Sequence, residues 1–275
     1  MQDFVRAILA TAILLSPYAG VATAEEMPLF DAHIHYSHDA VKQVPPRQAA
    51  KILRDAGIRK ALVSSSDDDG TQKLHEAAPD IVVPSLRPYR RRGETRTWVD
   101  DESVIAYIED RLSRFKYKAI GEFHAYGSDI DKPVVQRMIA LAKENGLLLH
   151  AHSDADAIDR IFSTWPGAKV LWAHSGFESA EEVGQMLGKH ENLWSDLAFR
   201  SEHGSGGSVP ANWRAVFEAF PERFMIGTDT FAPERWYYIK SHADFSRAWL
   251  KDLPQDLARN IGYSNAERML EAVGQ

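Results

Sequence analysis

The stretch Phe30-Asp31-Ala32-His33-Ile34-His35 is a short, mainly apolar segment that carries a His-x-His pair. Side chains alternate across a strand, so on a strand His33 and His35 point to one side while Ile34 points to the other. Two imidazoles on one side can bind one metal ion, and the alternative is a pair of histidines on a half-buried strand. The rest of the chain has to decide between these two interpretations.

An apolar run near the N-terminus predicts a segment that is removed before the chain folds. Residues 7–15 are almost entirely apolar, and Ala22-Thr23-Ala24 is the small-x-small pattern that signal peptidase cleaves. The run is shorter than the about 20 residues needed to span a bilayer. We therefore predict a signal peptide over residues 1–24 and a periplasmic or secreted protein with no membrane attachment after cleavage. The alternative is an apolar N-terminal helix that stays attached.

Length and composition narrow the class of the remaining chain. Residues 25–275 come close to the roughly 250 residues typical of a (β/α)8 barrel. The sequence has no cysteine, so a metal site would have to use histidines and carboxylates. A net charge of −7 argues against a general nucleic-acid-binding protein.

Short apolar runs alternate with amphipathic helical segments, which predicts parallel strands joined by crossover helices. Strands are predicted at 29–35, 60–66, 81–86, 117–124, 147–152, 169–174, 192–198 and 223–229. Helices are predicted at 46–56, 98–114, 132–145, 178–189 and 211–220. Gly57 and Gly146 are predicted to end helices. The fold class is α/β, a single (β/α)8 TIM barrel over residues 25–275.

Polar side chains recur where the predicted strands end, which is where such barrels place their active sites. They are His33, His35, Glu122, His124, His150, His152, His174 and Asp229. A purely structural role would favour Val, Ile or Leu at buried strand positions. This convergence predicts a metal site, and the alternative is a set of hydrogen-bonded core histidines.

Six motifs resemble those of the amidohydrolase superfamily, and most closely its amidohydrolase-related (amidohydrolase 2) branch. They are Phe-Asp-Ala-His-Ile-His (30–35), Ala-Ile-Gly-Glu (119–122), Leu-Leu-Leu-His (147–150), Val-Leu-Trp-Ala-His-Ser-Gly (170–176), Met-Ile-Gly-Thr-Asp (225–229) and Ile-Gly-Tyr-Ser-Asn-Ala-Glu-Arg-Met-Leu (261–270). They follow the family's order over nearly all of residues 25–275. The resemblance implies a metal-dependent hydrolase.

The resemblance also implies a set of ligands for a divalent metal, with zinc as the expected ion and manganese as an alternative. These ligands are His33, His35, His150 and Asp229. Asp229 would also be the catalytic base that accepts a proton from the bound water, and His174 would be a catalytic residue that polarises the carbonyl or binds a second ion. Glu122 resembles a glutamate that bridges two ions, and the alternative is a carboxylate that orients a ligand histidine with one ion bound.

Two strand ends leave the assignment of histidines open. His152 shares a face with His150, so either could be the strand-five ligand; we favour His150 as the ligand and predict that His152 contacts substrate. His124 lies further out, where a loop or substrate contact is expected. Asp154 and Asp156 follow on the loop, and capping of the next helix explains at least one of them.

Several other side chains are candidates for binding substrate. Arg87 follows strand three and could hold a carboxylate of an acidic substrate, although a solvated loop is the common role for such a residue. Weaker candidates for the same role are Arg90, Arg91, Arg92, Arg200 and His203. Trp236, Tyr237 and Tyr238 could form a pocket wall or simply pack on the barrel rim.

The predicted function is therefore hydrolysis of a small amide, ester or lactone by water activated on a metal ion. The expected partner is a small molecule that can carry a carboxylate. One alternative is a metal-dependent decarboxylase of the same family. An alternative from another class is a non-catalytic barrel that binds a metal or a ligand.

Overall fold

Eight short parallel strands alternate with helices along the chain in the computed structural model, which describes residues 26–273. The strands are β1 (Leu29–His35), β2 (Ile58–Ser64), β3 (Val82–Leu86), β4 (Ala119–His124), β5 (Leu148–His152), β6 (Val170–Trp172), β7 (Leu193–Asp196) and β8 (Phe224–Met225). The predicted signal peptide, residues 1–24, lies outside the described residues and stays a prediction.

Helices connect successive strands and cover the outside of the sheet. They are α1 (His38–Gln43), α2 (Pro46–Asp55), α3 (Asp69–Ala77), α4 (Ser103–Arg114), α5 (Pro133–Glu144), α6 (Ala155–Thr164), α7 (Ala180–Lys189), α8 (Ala211–Ala219), α9 (Ile239–Leu250), α10 (Gln255–Arg259) and α11 (Asn265–Glu271). Gly57 and Gly146 follow α2 and α5 with φ of 69° and 64°, so both predicted helix ends are confirmed. Within residues 26–273, no helix is both long and apolar enough to cross a membrane.

The strands pair in chain order from β1 to β8, and every pair is parallel. Backbone hydrogen bonds then join β1 to the segment that follows β8. Ala32 N–H donates to the Ile226 carbonyl at 3.0 Å, and Asp229 N–H donates to the His33 carbonyl at 2.8 Å. The predicted (β/α)8 barrel is therefore confirmed. Because all strands run the same way, their C-terminal ends meet at one face.

A bulge in β1 decides which way its histidines point. Phe30 and Ala32 lie in a buried cluster inside the barrel, which we call the inner cluster; it takes residues from six strands and from α11. Strict alternation would continue that inner side at Ile34. The pairing of β1 with β2 shifts register between Asp31 and Ile34. Ile34 therefore packs in the larger buried cluster formed by strands and the surrounding helices, which we call the outer core. The extra residue turns His33 and His35 inward.

A second bulge does the same in β4. Ala119 belongs to the inner cluster, whereas Phe123 belongs to the outer core. The register between β4 and β5 shifts between Gly121 and Phe123, so Glu122 and His124 take the inward positions. A Cβ on Gly121 would lie 2.1 Å from the His150 carbonyl oxygen, and its φ is +132°, so only glycine fits this close approach.

Strands six and eight are shorter than predicted. β6 ends at Trp172, and the next segment turns through His174 and Ser175 with φ of 57° and 52°. After β8, Asp229 also has a positive φ, 44°. The chain leaves the extended conformation before it reaches these residues. His174 and Asp229 therefore stand on turns after the strands rather than on the strands themselves.

Candidate metal centre

Four side chains converge at the C-terminal face of the barrel, and we call them the upper site: His33, His35, Glu122 and Asp229. The Nε2 atoms of His33 and His35 are 3.1 Å apart. Asp229 Oδ1 lies 3.2 Å from His35 Nε2 and 3.8 Å from His33 Nε2. Glu122 Oε2 lies 3.2 Å from His35 Nε2. Two ligand atoms on a tetrahedral zinc ion are about 3.3 Å apart, so these separations suit atoms that share one ion.

The hydrogen bond of His174, a neighbour of Glu122, indicates that a positive charge is needed beside the upper site. Its Nδ1 lies 2.8 Å from the Ala198 carbonyl oxygen, which can only accept, so Nδ1 carries the proton. Nε2 of the neutral ring then presents a lone pair, and it lies 3.5 Å from Glu122 Oε1. A lone pair facing a carboxylate is repelled. A metal ion, or a proton on the imidazole, removes that repulsion.

Glu122 stands between the upper site and a second group of histidines. His152 Nδ1 lies 2.6 Å from Glu122 Oε1, and the His124 ring stacks on His152 at 4.1 Å. His174 approaches the same carboxylate oxygen. Glu122 thus contacts donors on both sides. This arrangement fits a carboxylate that bridges two ions, and it equally fits one that orients its neighbours around a single ion.

Arg87, the predicted substrate clamp, already has a partner inside the protein. Its Nη2 donates to Glu122 Oε2 at 2.7 Å and its Nε to the Glu122 carbonyl at 3.2 Å. The guanidinium also lies over the Tyr89 ring, with its carbon 4.9 Å from the ring centroid. Arg87 therefore balances the charge of Glu122 and fixes its position from the side opposite His152.

Carboxylates dominate the charge of the buried centre. Burial by itself would raise the pKa of Glu122 and of Asp196, but the neighbouring His33 and other imidazoles lower both well below their ordinary range. In Asp229 burial is likewise outweighed, here by the hydrogen bond from His35 and the charge of His33 and His35, which lower its pKa to about 2. Burial alone would lower the pKa of His33, but Asp196 and Glu122 raise it well above its ordinary range. The three carboxylates therefore face Arg87 and a positively charged His33, and a dication bound at this centre would take the place of the His33 proton.

His150 is not brought to the upper site, although the sequence favoured it as the ligand from strand five. Its Nε2 lies 3.1 Å from Asp196 Oδ2, which also accepts from His33 Nδ1 at 3.2 Å. His150 pairs with Gly121 in the sheet, whereas His152 pairs with His124 one layer further out. Two residues along a strand are about 6.6 Å, so His152 reaches Glu122 and His150 remains beneath His33.

Asp196, which the sequence reasoning missed, is a fully buried carboxylate at the end of β7. The signal that could have found it is the one used elsewhere, a polar residue closing an apolar strand in Leu-Trp-Ser-Asp (193–196). Strand seven was predicted to continue to residue 198, which left Asp196 in its interior. β7 in fact ends at Asp196, so this residue lies at the same face of the barrel as the polar residues that end the other strands.

A cavity of ≈ 440 Å³ opens above the upper site. His35, Glu122 and Asp229 line its floor together with His152 and His174. Arginines and an aromatic ring also line it: Arg87, Arg91, Arg92 and Phe231. A cavity of this size admits a small molecule to the convergent polar groups.

The remaining arginines near this face are paired within the protein. Arg90 and Arg91 contact Glu94, and Arg92 contacts Asp39. Arg200 donates to the carbonyls of His174 and Glu178, at 3.0 and 2.7 Å, so it braces the turn that carries His174. These contacts give each arginine a structural partner.

The aromatic and capping candidates have separate places. Trp236 is buried and packs edge-on against Tyr36. Tyr237 and Tyr238 are 59% and 60% exposed on the rim. Asp154 caps α6 through a 2.8 Å hydrogen bond from Ala157 N–H, which confirms the predicted capping role for one of the two aspartates.

His203 lies in a second, smaller cavity of ≈ 130 Å³, away from the upper site. It is 2% exposed and meets the Trp249 ring edge-on at 4.9 Å. Burial lowers its pKa from 6.5 to about 4. Its ring packs edge-on against Trp213 and Trp249, and its buried Nδ1 has no hydrogen-bond partner among the described residues.

Replacing His203 with phenylalanine is expected to make the free energy of unfolding decrease less as the pH is lowered. Between about pH 6.5 and 4, the unfolded chain binds a proton on His203 that the folded chain does not bind. The free energy of unfolding therefore decreases as the pH falls through this range. The loss attributable to His203 is on the order of 3 kcal/mol. Urea unfolding across this pH range should show a smaller decline in the variant. Equal slopes in both proteins would contradict this assignment, and measurements at about pH 8, where the imidazole is neutral in both states, control for packing.

Comparison with known proteins places this architecture in a family. A family model described as Amidohydrolase matches residues 30–272. A search of curated proteins gave no significant match. Among solved structures, an uncharacterised TIM-barrel protein of Bordetella bronchiseptica aligns with a TM-score of 0.60 at 16% identity, over 90% of this chain and 100% of the other.

Two further solved structures share the fold at low identity. A probable 2-pyrone-4,6-dicarboxylic acid hydrolase of Acinetobacter baumannii aligns with a TM-score of 0.58 at 10% identity, over 89% of this chain and 100% of that one. An organophosphate hydrolase engineered from a weak promiscuous lactonase aligns with a TM-score of 0.59 at 11% identity, over 89% of this chain and 95% of that one. The family match spans nearly all of the described residues, and this chain belongs to the amidohydrolase family.

Proposed function

We propose that this protein is a metal-dependent hydrolase that adds water to the carbonyl of a small amide, ester or lactone. The observation that carries the proposal is the convergence of His33, His35 and Asp229 with Glu122 on one point beneath an open cavity. The match to the family described as Amidohydrolase supports hydrolysis. The expected ion is zinc, with manganese as the alternative.

The residues of the upper site suit this reaction. A divalent ion held there would lower the pKa of a coordinated water toward neutrality and polarise a carbonyl oxygen. Asp229 is ionised at any working pH and faces the cavity floor, so its Oδ1 can accept the proton of the attacking water. Arg87 and His152 hold Glu122 in place from two sides.

His174 has one of two roles, and the number of ions separates them. With one ion, a proton on Nε2 lets His174 donate a hydrogen bond to the substrate carbonyl oxygen. With two ions, Nε2 would be a ligand and would carry no proton. In both cases Nδ1 donates to the Ala198 carbonyl, which keeps the ring facing the cavity.

We further propose that the substrate carries a carboxylate. Arg91 and Arg92 line the cavity beside Arg87, whose own guanidinium is held by Glu122, and guanidinium groups pair with carboxylates in preference to neutral groups. The solved pyrone dicarboxylic acid hydrolase bears the name of an acidic lactone substrate, in agreement with this choice. Arg91 pairs with Glu94 and Arg92 pairs with Asp39 in the structure. A substrate carboxylate would have to share these arginines with the two acidic residues.

A panel of substrates tests the reaction class. Zinc-loaded protein is incubated with matched lactones, aryl esters and amides, each with and without a carboxylate, and with carboxylated aromatics. We expect acid release from at least one carbonyl compound, and faster release from its carboxylated form. Carbon dioxide release from the aromatics without any acid release would replace the hydrolase by the decarboxylase alternative. Zinc binding with no turnover of any compound would favour the non-catalytic barrel.

A further inference from the structure

We propose that Asp196 is a positioning residue that holds His33 in the tautomer needed to bind the ion, and that His150 serves Asp196 rather than the metal. The inference rests on the metal centre of the proposed function. It concerns a cluster beneath the upper site, which we call the lower cluster: the Nδ1 edge of His33 with His150 and Asp196.

The carboxylate of Asp196 receives four hydrogen bonds from four segments: β1, β5, the turn after β6 and the segment after β7. Oδ2 accepts from His33 Nδ1 at 3.2 Å and from His150 Nε2 at 3.1 Å. Oδ1 accepts from the backbone N–H groups of His174 and Ala198, each at 3.0 Å. All acceptor directions are used, and the side chain is fully buried. A carboxylate with this many donors has one fixed orientation.

That orientation determines where the proton of His33 lies. An ionised carboxylate can only accept, so both ring nitrogens that face Asp196 must donate. His33 therefore carries a proton on Nδ1, and in the neutral ring its Nε2 presents a lone pair to the upper site. Nε2 is the atom that lies 3.1 Å from His35 Nε2. Asp196 thus makes His33 a ligand without contacting the ion.

His150 completes the same arrangement. Its ring meets His33 edge-on, with centroids 4.4 Å apart, and is 2% exposed. It contributes the second donor to Oδ2, which stabilises the ionised form of Asp196. Neither His150 nor Asp196 lines the cavity of ≈ 440 Å³, whereas His35, Glu122 and Asp229 do.

The rival interpretation puts an ion in the lower cluster, between His33 Nδ1, His150 Nε2 and Asp196 Oδ2. An ion there would leave the His33 proton on Nε2, directed at His35 and at the carboxylates of the upper site. It would also lie among fully buried groups, none of which lines the cavity that admits substrate. The access of substrate favours the ion in the upper site.

The test compares two isosteric variants by zinc affinity. Asp196→Asn puts an NH2 group opposite two ring nitrogens, which requires His33 to accept on Nδ1 and to carry its proton on Nε2. We expect zinc affinity, measured by competition with a chelating indicator at one neutral pH, to fall by about 10- to 100-fold. The matched control is Asp31→Asn, because Asp31 is equally buried but accepts from Thr228 and the His33 backbone instead of a ring nitrogen.

The control separates hydrogen bonding from loss of charge. Asp31→Asn should keep zinc affinity within about threefold, since it removes only a nearby charge. Equal losses in both variants, or no loss in Asp196→Asn, would overturn the proposal. Thermal unfolding of the metal-free proteins shows whether either variant has lost its fold. Among folded variants, Asp196→Glu keeps the acceptor and should retain more zinc affinity than Asp196→Asn; if Asp196→Asn is misfolded, the ring-nitrogen NMR of the wild type decides.

Two readouts keep this inference distinct from the proposed function. In zinc-loaded wild type, ring nitrogen NMR should show a proton on Nδ1 of His33; a proton on Nε2 would overturn the proposal. His150→Gln should weaken zinc binding by less than tenfold. A loss as complete as in His33→Ala would make His150 a ligand and put the ion in the lower cluster. None of these measurements uses substrate. If the wild type binds no zinc, both the proposed function and this inference are wrong. If the wild type binds zinc and the variants bind it equally well, this inference alone is wrong.

Discussion

Replacing Asp229 with asparagine is expected to lower kcat/KM for the hydrolysed substrate by about 10²- to 10⁴-fold, the usual contribution of a positioned general base. Asp229 lines the cavity and its Oδ1 lies 3.2 Å from His35 Nε2, and asparagine offers no atom that accepts a proton at neutral pH. Its amide oxygen can still face the ion. Zinc content measured in excess zinc should therefore stay at the wild-type level.

The comparison for this prediction is Asp244→Asn, which removes an aspartate that pairs with Lys240 on the surface of α9. Its activity should match wild type. Full activity of Asp229→Asn would remove Asp229 as the base. Loss of activity together with loss of zinc would make Asp229 mainly a ligand, and the rate would then have to be measured at saturating zinc.

The second large effect is expected from His33→Ala combined with His35→Ala, which should remove the zinc ion of the upper site and abolish detectable hydrolysis. The two Nε2 atoms form the closest pair of donors in the upper site, and removing both leaves only carboxylates there. Zinc prefers imidazole and thiolate ligands over carboxylates alone, so the remaining set is a poor zinc site. Metal content per chain, measured on protein purified without an affinity histidine tag, checks this result.

Glu122→Gln in the same experiment counts the ions. A fall from two ions to one would make Glu122 a bridge, with His152 and His174 as its second set of ligands. One ion in both proteins would make Glu122 a carboxylate that orients the site. His190→Ala is the control, because His190 stacks on Phe162 at 4.2 Å far from the cavity and should keep the full metal content. Zinc content at the wild-type level in the double alanine variant would disprove a centre built on this pair.

Much of the architecture could be predicted because it follows from local patterns. Apolar runs of strand length, separated by amphipathic helices, predict parallel strands with crossovers, and the closed eight-stranded sheet confirms this. The helix ends at Gly57 and Gly146 follow from the positive φ that glycine adopts at low cost. The errors fell at strand ends, where β6 and β8 give way to turns with positive φ.

The site was harder to predict because two bulges change the direction of side chains. Alternation from Phe30 and Ala32 would continue inward at Ile34, and only the register shift against β2 turns His33 and His35 into the barrel. No comparable shift occurs in β5, so His150 stays one layer below. The choice between His150 and His152 depends on these relative heights, which no single strand encodes.

By itself the sequence determined the alternation of strands and helices, the presence of chemically active side chains at strand ends, and the family. These are properties of short segments, and they persist whatever the neighbouring strands do. The tertiary structure alone decided which of those side chains meet: His35 with Asp229, Glu122 with Arg87 and His152, and Asp196 with His33. Hydrogen bonds of about 3 Å between residues far apart in the chain depend on strand register and bulges, and these arise only when the strands pair around the closed barrel.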